Sequence, residues 1–374
     1  MKPDSYKQCT RCIMDNQSDN TITFDDSGCC NYCTTALELK NKVYFPNSIG
    51  QEKLEKLLSA LKTKNKDNKY DCIMGISGGL DSSYLAYLGS VKWNLRILAV
   101  HVDDGFNTEI SERNIDRIGQ FPNFDLHIIK PDPYQYNELI KAYIRAGVPN
   151  LAAPQDNVLF ACIYKFMKES KINTFLSGAN YALECILQRG NTHTAYDLTN
   201  LKAINNKFGH AKIDKLPLIS SFSRDLNSYL LNIKTIRPLD LIDYNKNSAM
   251  QSLIDYCGFE YYGSKHLENE LTKFIQQYWF YKKFNVDKRT SHLSSMIVSG
   301  QITREDALKQ YAIDLYEDED MENTISAVLK RLNMSREELD TIINSESKQH
   351  TDYPVSNYLK IHPYLYTFFK KIKK

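Results

Sequence analysis

The stretch from residue 70 to residue 83 constrains this chain most, because it predicts a strand, a glycine turn and a helix start in immediate succession. An apolar run at 70–74 predicts a short strand, and it leads into Gly75-Ile76-Ser77-Gly78-Gly79-Leu80-Asp81-Ser82-Ser83. Two adjacent glycines let the backbone approach a ligand closely. The following helix directs unpaired N–H groups and its positive dipole end at the same place. The stretch therefore predicts a turn that binds an anion.

An aspartate inside this turn separates it from the Walker A loop, whose Gly-x-x-x-x-Gly-Lys-Ser/Thr spacing and lysine are missing. A carboxylate beside phosphates is repulsive unless a divalent cation lies between them, so Asp81 is predicted to bind Mg²⁺. The hydroxyl groups of Ser77, Ser82 and Ser83 are predicted to donate hydrogen bonds to the anion. The alternative is an ordinary strand, turn and helix in which Asp81 caps the helix.

The segment Ser-Gly-Gly-x-Asp-Ser at 77–82 resembles the pyrophosphate loop of the N-type ATP pyrophosphatases. The resemblance implies an adenine nucleotide alpha hydrolase-like fold and ATP as cofactor. It also implies cleavage of ATP between the α and β phosphates, adenylation of a carbonyl oxygen, and displacement of AMP by nitrogen or sulfur. The nucleotide would be bound by Ser77, Gly78, Gly79, Asp81, Ser82 and Ser83, and Ser77 and Asp81 would also be catalytic.

Four N-terminal cysteines form the pairs Cys9-x-x-Cys12 and Cys30-x-x-Cys33, separated by seventeen residues. This spacing is typical of a four-cysteine zinc ribbon, in which two knuckles share one tetrahedral Zn²⁺ with a structural role. Cys29 is then a spare thiol. The alternatives are a disulfide, which the lack of a secretory signal disfavours, and redox-active cysteines.

Strand-like and helix-like segments alternate through the central part of the chain. Strands are predicted at 70–76, 96–102, 125–129, 172–176 and, more weakly, 235–239, with helices at 82–91, 109–118, 134–146 and 157–168. Such alternation predicts an α/β fold with a parallel sheet covered by helices on both faces. Ligands of these sheets lie at the carboxyl ends of the strands.

Two segments that follow predicted strands carry further candidates for nucleotide binding. After the second strand, Asp103 and the backbone near it could contact the adenine edge while Phe106 stacks on the ring; the alternative is a capped acidic turn. After the fourth strand, Gly178, Asn180 and Glu184 form a Gly-x-Asn turn with a carboxylate at i+4, which suits Mg²⁺, ribose or phosphate.

Composition and charge limit the class of protein. The chain has 374 residues and 42% hydrophobic content, which suffice for a substantial core. Its net charge of +2 is too small to indicate nucleic-acid binding by itself. We find no secretory signal and no apolar run approaching the roughly 18 to 20 residues of a membrane span. The expectation is a cytoplasmic enzyme without a membrane span.

The later part of the chain carries a second resemblance. It is dense in polar and aromatic residues, including Tyr261-Tyr262-Gly263-Ser264-Lys265-His266-Leu267-Glu268-Asn269, Asp287-Lys288-Arg289-x-x-His292 and Ser299-Gly300-Gln301. Together with the cysteine pairs and the pyrophosphate loop, these segments resemble the N-acetyl sugar amidotransferase family, of the WbpG and PseA type. In that family we expect His-Glu-Ser where this chain has Leu267-Glu268-Asn269.

This resemblance implies an activity. Members make amidino sugars for lipopolysaccharide O-antigens and for flagellar or capsular glycans. An acetamido oxygen of a nucleotide-linked or acidic N-acetyl sugar would be adenylated by ATP, and ammonia would displace AMP to leave an amidine. Lys265, His266, Lys288, Arg289 and His292 would contact the anionic part of the substrate, with Lys265 and His266 also catalytic.

The family resemblance also implies a division of the chain and two partners. The parts are a zinc module at 1–45, an ATP-binding α/β domain at 46–245 and a helical region for sugar and partner at 246–374. Ammonia would come from a HisH-like glutaminase through a HisF-like channel protein. Consistent with this, no cysteine follows Met1 directly or has the Gly-x-Cys-x-Gly surroundings of a glutaminase nucleophile.

Two other functions remain open from the sequence. A tRNA-thiolating enzyme of the pyrophosphate-loop type would need reactive thiols in the cysteine pairs and would bind RNA with a steep salt dependence. A non-catalytic scaffold would bind zinc and ATP without turnover.

Overall fold

The computed structural model describes residues 6–263 and 267–360. The strands are β1 (Cys72–Gly75), β2 (Ile97–Val102), β3 (Phe124–Ile129), β4 (Thr174–Leu176) and β5 (Lys234–Ile236). The helices of the first 260 residues are α1 (Asn31–Val43), α2 (Ser48–Lys64), α3 (Leu80–Tyr87), α4 (Glu109–Gly119), α5 (Pro133–Ala146), α6 (Ala153–Glu169), α7 (Tyr181–Glu184), α8 (Leu198–Phe208), α9 (Ser221–Leu230) and α10 (Lys246–Cys257). Those that follow are α11 (Glu270–Lys273), α12 (Phe280–Phe284), α13 (Arg289–Ser299), α14 (Arg304–Ala312), α15 (Asp318–Leu332) and α16 (Arg336–Asn344).

The five strands form one parallel sheet in the order β3-β2-β1-β4-β5. β1 lies at its centre, where Cys72 pairs with Ile97 of β2 and Ile73 pairs with Phe175 of β4. All five predicted strands and the four helices predicted between the first four are present, so the predicted fold class is confirmed. The division of the chain at residues 45 and 245 stays a prediction.

Alternation of side chains along β1 explains why both faces of the sheet are covered. Ile73 packs into a core with α5 and α6, whereas Cys72 and Met74 pack into a second core with α3 and α10. All three side chains are fully buried. A continuous apolar strand is therefore stable only between two layers of helices, as the sequence predicts.

The N-terminal cysteine module packs against the helical C-terminal part of the chain. The backbone N–H of Ile13 donates to Ser294 of α13 at 3.1 Å, and Arg304 of α14 donates to the carbonyls of Cys9 and Cys12, both at 3.1 Å. α13 also contacts α1 and α7. These contacts place α13 between the cysteine module and the end of the sheet where β4 stops.

Among the described helices, none combines the length and the apolar character that a membrane crossing requires.

Candidate functional site

The turn between β1 and α3 is built around two glycines with different roles. Gly78 has a φ of +79°, a conformation that glycine adopts without strain. Gly79 precedes α3 and supplies no side-chain cap to the first turn of the helix, and the Leu80 N–H donates instead to the Tyr262 hydroxyl. A side chain at Gly79 would lie 2.5 Å from Oε1 of Glu268, which shows how closely the C-terminal part approaches the turn.

Hydroxyl groups shape the inside of this turn. Ser77 Oγ accepts from the Gly79 N–H at 3.1 Å and lies 3.3 Å from Ser82 Oγ. Both side chains line a cavity of about 220 Å³. Ser82 also donates to the Gly79 carbonyl, at 3.2 Å. Ser83 differs, because it is fully buried, does not line the cavity and donates to the same carbonyl at 2.7 Å. The prediction that Ser83 donates to a bound anion is therefore wrong, and Ser83 stabilises the turn instead.

Charged or titratable side chains from five parts of the chain line the same cavity. Three of them are acidic, namely Asp81, Glu184 and Glu268, and two are basic, namely Lys246 and His292. The volume of about 220 Å³ is smaller than the roughly 300–1,000 Å³ of a typical ligand cleft. It suits a pyrophosphate group and a cation rather than a complete nucleotide.

Two tyrosines hold the start of α3 in place. Tyr244 donates a hydrogen bond to Asp81, and the Leu80 N–H donates to the Tyr262 hydroxyl at 2.8 Å. Burial, followed by the charge of Asp81, raises the pKa of Tyr244 well above its usual value. Tyr244 therefore stays a protonated donor that orients the Asp81 carboxylate.

A backbone connection brings Glu268 to the turn. The Thr108 N–H donates to the Glu268 carbonyl at 3.1 Å, and the Glu270 N–H donates to the Phe106 carbonyl at 2.7 Å. The Glu268 side chain then accepts from Ser77 Oγ at 3.2 Å. The loop after β2 therefore acts as a support for this segment.

The loop after β4 contributes a close contact and a carboxylate. A Cβ atom added to Gly178 would lie 3.2 Å from the Ser82 nitrogen and 3.3 Å from the Asp81 carbonyl carbon, so Gly178 permits the approach of the two loops. Glu184 lines the cavity. Asn180 does not offer an oxygen ligand as predicted, because its Oδ1 accepts from the Leu183 N–H at 2.9 Å and caps α7.

The residues predicted to recognise adenine lie elsewhere. Phe106 is only 3% exposed, and the Arg331 guanidinium lies over its ring, 5.3 Å from the centroid. No face of the ring is left for a base, so the predicted stacking is wrong. Asp103 forms an ion pair with Lys130 at 2.9 Å and accepts from the Gly105 N–H, as expected of a capped acidic turn.

The structure separates the predicted sugar-binding residues. Lys265 and His266 lie outside the described residues. His292 lines the cavity, and Lys288 lies one helical turn before it. Burial lowers the pKa of Lys288 to about 8. The Arg289 guanidinium is engaged by Asp287 at 2.8 Å and by the Ile313 carbonyl at 2.7 Å, which argues against its predicted contact with substrate.

The four predicted zinc ligands come together as one cluster. The Sγ atoms of Cys9, Cys12, Cys30 and Cys33 all lie within 4.8 Å of one another. The Cys9–Cys33 and Cys12–Cys30 distances are 3.7 and 3.6 Å. Ligands at roughly 2.3 Å from a tetrahedral Zn²⁺ would stand about 3.8 Å apart, so the cluster has the size of such a site. Cys29 is not part of the cluster.

Hydrogen bonds around the cluster favour thiolates. The N–H groups of Cys12 and Cys30 donate to Cys9 Sγ at 3.4 and 3.2 Å, and Arg11 donates to Cys33 Sγ at 3.7 Å. Such donors orient sulfur ligands and offset their negative charge. All four cysteines are 0% exposed, which fits a closed structural site rather than reactive thiols.

The sequence did not predict the cavity-lining side chains of Lys246, Tyr262 and Glu268, nor Tyr244, which donates to Asp81 without lining the cavity. Tyr262 and Glu268 lie within the polar and aromatic segment at 261–269. The signal available for them was that density of polar and aromatic residues. Tyr244 and Lys246 follow β5 in the chain, and the rule that ligands lie beyond strand ends could have indicated them.

The C-terminal part of the chain is similar to a known family. Residues 268–373 match the C-terminal domain of WbpG-like LPS biosynthesis proteins. Over 141 residues the chain is 28% identical to an uncharacterized protein of Methanocaldococcus jannaschii, covering 37% of this chain and 47% of that protein. The chain thus spans about half the length of the curated relative that it matches.

Solved structures resemble the chain only distantly. The NH3-dependent NAD synthetase of Campylobacter jejuni has a TM-score of 0.29 and 15% identity, covering 55% of this chain and 83% of that one. The NMN synthetase of Francisella tularensis has a TM-score of 0.30 and 14% identity, covering 78% and 95%. These likenesses carry no conclusion about the chemistry of this chain.

Proposed function

We propose that this chain is an ATP-dependent, AMP-forming N-acetyl sugar amidotransferase. The match of residues 268–373 to the WbpG-like C-terminal domain supports this proposal. Its substrate is a nucleotide-linked or acidic sugar that carries an acetamido group. Its product carries an acetamidino group and serves the synthesis of a surface polysaccharide, such as an O-antigen, a capsule or a flagellar glycan.

One observation carries this proposal: the pyrophosphate-loop turn and the WbpG-like domain contribute to the same cavity. Ser77, Asp81 and Ser82 come from the turn, whereas Glu268 and His292 lie within the matched range. Ser77 and Glu268 are joined directly by the 3.2 Å hydrogen bond. An anion held at the turn would therefore be in contact with residues of the domain that marks the family.

The proposed reaction consists of two successive displacements. The amide oxygen attacks the α phosphorus of ATP, the bond between that phosphorus and the bridging oxygen breaks, and pyrophosphate leaves. Ammonia then adds to the activated carbon and loses a proton, the bond from carbon to the AMP oxygen breaks, and the amidine remains. The original amide oxygen leaves on AMP. Catalysis requires positioning and charge neutralisation rather than a covalent nucleophile on the protein.

The residues of the cavity suit the leaving pyrophosphate. The N-terminal end of α3 directs amide groups and a positive dipole end at the turn, and Ser77 and Ser82 add hydroxyl donors. Lys246 and His292 supply cationic or neutral donors on other walls. In this proposal Lys265 and His266 contact the sugar and Lys288 contributes positive charge one turn from His292.

Oxygen ligands for Mg²⁺ are present in the same cavity. Asp81, whose carboxylate Tyr244 orients, and Glu184 would hold the ion, which would neutralise phosphate charge. Carboxylates suit this hard cation, so the residues fit it. The cysteine cluster would hold Zn²⁺ in a structural role.

Ammonia has to come from elsewhere in this proposal. Burial raises the pKa of Cys162 and of Cys185 to about 11 and also raises the pKa of Cys257, so none of these three thiols has the lowered pKa of an activated nucleophile. We therefore propose a HisH-like glutaminase and a HisF-like channel protein as partners, with the reaction in the cytoplasm and without nucleic acid.

The test measures AMP and pyrophosphate release from ATP with ammonium present, using a panel of nucleotide-linked and acidic N-acetyl sugars. We expect release only with an acetamido sugar, and formation of an amidine detectable by mass. ATP binding without sugar-dependent release would instead support a scaffold, and sulfur transfer to tRNA would support the thiolating alternative.

The isolated chain should use ammonium, and should use glutamine only when the glutaminase is added. Efficient use of glutamine by the chain alone would contradict the proposed partners.

A further inference from the structure

A second, larger cavity adjoins the pyrophosphate-loop cavity. Its volume is about 1050 Å³, and it lies between α1 of the cysteine module, the segment from α7 to Thr192, and the segment from Thr235 to Leu241. Glu184 lines both cavities. A ligand in the larger cavity could therefore reach the place where the pyrophosphate-loop turn holds its anion.

Two arginines line this cavity and give it positive charge. Arg189 and Arg237 are both exposed, and within the described ranges neither guanidinium has an ion-pair partner within 4.0 Å. Arg189 lies over the ring of Tyr32, with 5.6 Å to the centroid. A planar guanidinium binds phosphate and carboxylate oxygens in pairs, so the cavity is suited to a ligand with an anionic group.

The remaining walls suit a sugar and a flat apolar group. Leu39 and Val43 of α1 are 44% and 41% exposed and offer an apolar surface. Asp240 accepts from the Tyr181 N–H at 2.5 Å, and the charges of both Arg237 and Glu184 act on it. Carboxylates at this position would accept hydrogen bonds from sugar hydroxyl groups or from an amide N–H.

We infer that this larger cavity is the binding site of the sugar substrate, with the anionic group of an acetamido sugar on Arg189 and Arg237 and the acetamido end directed to Glu184. This inference rests on the proposed function. Its volume of about 1050 Å³ reaches the upper end of the usual range for ligand clefts and fits a sugar with an attached nucleotide.

The inference also gives the cysteine module a specific task. Tyr32 and Leu39 lie about two turns apart on the same face of α1, and both line the cavity. α1 begins at the second cysteine pair, where Cys30 is its N-cap. Loss of the metal would disturb the substrate wall while leaving the pyrophosphate-loop turn in place.

The test is equilibrium binding by calorimetry to the full chain. The anionic group has two sources, so the probes are UDP-N-acetylglucosamine for a diphosphate, N-acetylneuraminic acid for a carboxylate, and neutral N-acetylglucosamine. We expect one anionic probe to bind and the neutral sugar to bind at least tenfold more weakly. Arg189→Gln and Arg237→Gln should each raise the Kd of that probe about tenfold and leave the Kd of ATP within twofold.

Two further variants sharpen the result. Leu39→Glu places a negative charge at an exposed position of the cavity wall and should weaken binding of the same anionic probe several-fold. Lys212→Gln is the matched control, because Lys212 is exposed in a different open cavity of about 690 Å³ and should change nothing.

The outcomes separate this inference from the proposed function. The inference about this site would be overturned if neither anionic probe binds, or if the arginine variants bind the probe with the affinity of the wild type. Sugar-dependent AMP formation that survives both arginine substitutions would leave the function standing and refute the site. Arginine-dependent binding without AMP formation for any sugar would keep the site and refute the function.

Discussion

Acid should destabilise this protein through one buried histidine, His350. It is 2% exposed, and its Nδ1 lies 2.8 Å from Asn200 Oδ1 while its Nε2 accepts from the Asn150 N–H at 3.3 Å. This pattern assigns the neutral form with the proton on Nδ1. Protonation would place a second N–H opposite the Asn150 donor. Burial, and then the neighbouring His193, lowers the pKa of His350 to about 3.

The size of the effect follows from the two pKa values. In the unfolded chain the histidine titrates near its model value of 6.5, so between pH 6.5 and pH 3 the unfolded state binds a proton that the folded state does not. Stability is therefore lost as the pH falls through this range. Between pH 7 and pH 5 the loss is about 2 kcal/mol. The groups facing the ring are His193, stacked at 4.7 Å, and Asp197, which is 2.9 Å from His193.

The assay is urea unfolding at pH 7 and pH 5 of the wild type and of His350→Gln. The variant should be less stable at pH 7, yet should lose about 2 kcal/mol less than the wild type on acidification, since it has no proton to gain. His210→Gln changes an exposed histidine and should leave the wild-type dependence unaltered. If the wild type and His350→Gln lose the same free energy within about 0.5 kcal/mol, His350 is not the acid-sensitive group.

Three further predictions concern the site. Asp81→Asn keeps the shape of the turn but removes its charge, and should reduce AMP formation about 100-fold with unchanged urea unfolding; activity within a few-fold of wild type would contradict a role in binding Mg²⁺. Gly178→Ala places a methyl group 3.2 Å from a backbone nitrogen, so it should lower the free energy of unfolding by about 1–3 kcal/mol and weaken ATP binding. Gly75→Ala is the control, because a methyl group there meets only ordinary contacts from 3.6 Å. Elemental analysis should find one Zn²⁺ per chain, lost in Cys30→Ser and retained in Cys29→Ser; an iron–sulfur absorbance would refute the assignment.

The parts of the fold that depend on local sequence could be predicted. The strands are continuous apolar runs between turns, and the pyrophosphate-loop turn is a short motif whose glycines and serines act within a few residues of each other. The same holds for helix starts such as Thr303 and Ser335, which accept from the N–H groups of Asp306 and Glu338. The cysteine pairs were predictable because metal geometry fixes their spacing.

Errors arose where a side chain has two chemically reasonable partners. An aromatic residue after a strand can stack on a ligand or enter the core, and Arg331, more than 200 residues away in the chain, decides the matter for Phe106. The Gly-x-Asn pattern predicts Asn180 as a ligand, although an asparagine before a helix is also a good cap. For Arg289 a local signal existed, because Asp287 stands two residues before it and engages its guanidinium.

The cavity itself is a product of long-range packing, which explains why half of it could not be predicted. Ser77 meets Glu268 across 191 residues, Leu80 meets Tyr262 across 182, and Asp81 meets Tyr244 across 163. No periodicity or motif links such positions. They are joined because the loop after β2 binds the segment at Glu268 through backbone hydrogen bonds and because Gly79 has no side chain to obstruct it. The turn alone offers a site for an anion, and the chemistry performed on that anion depends on the domain that closes against it.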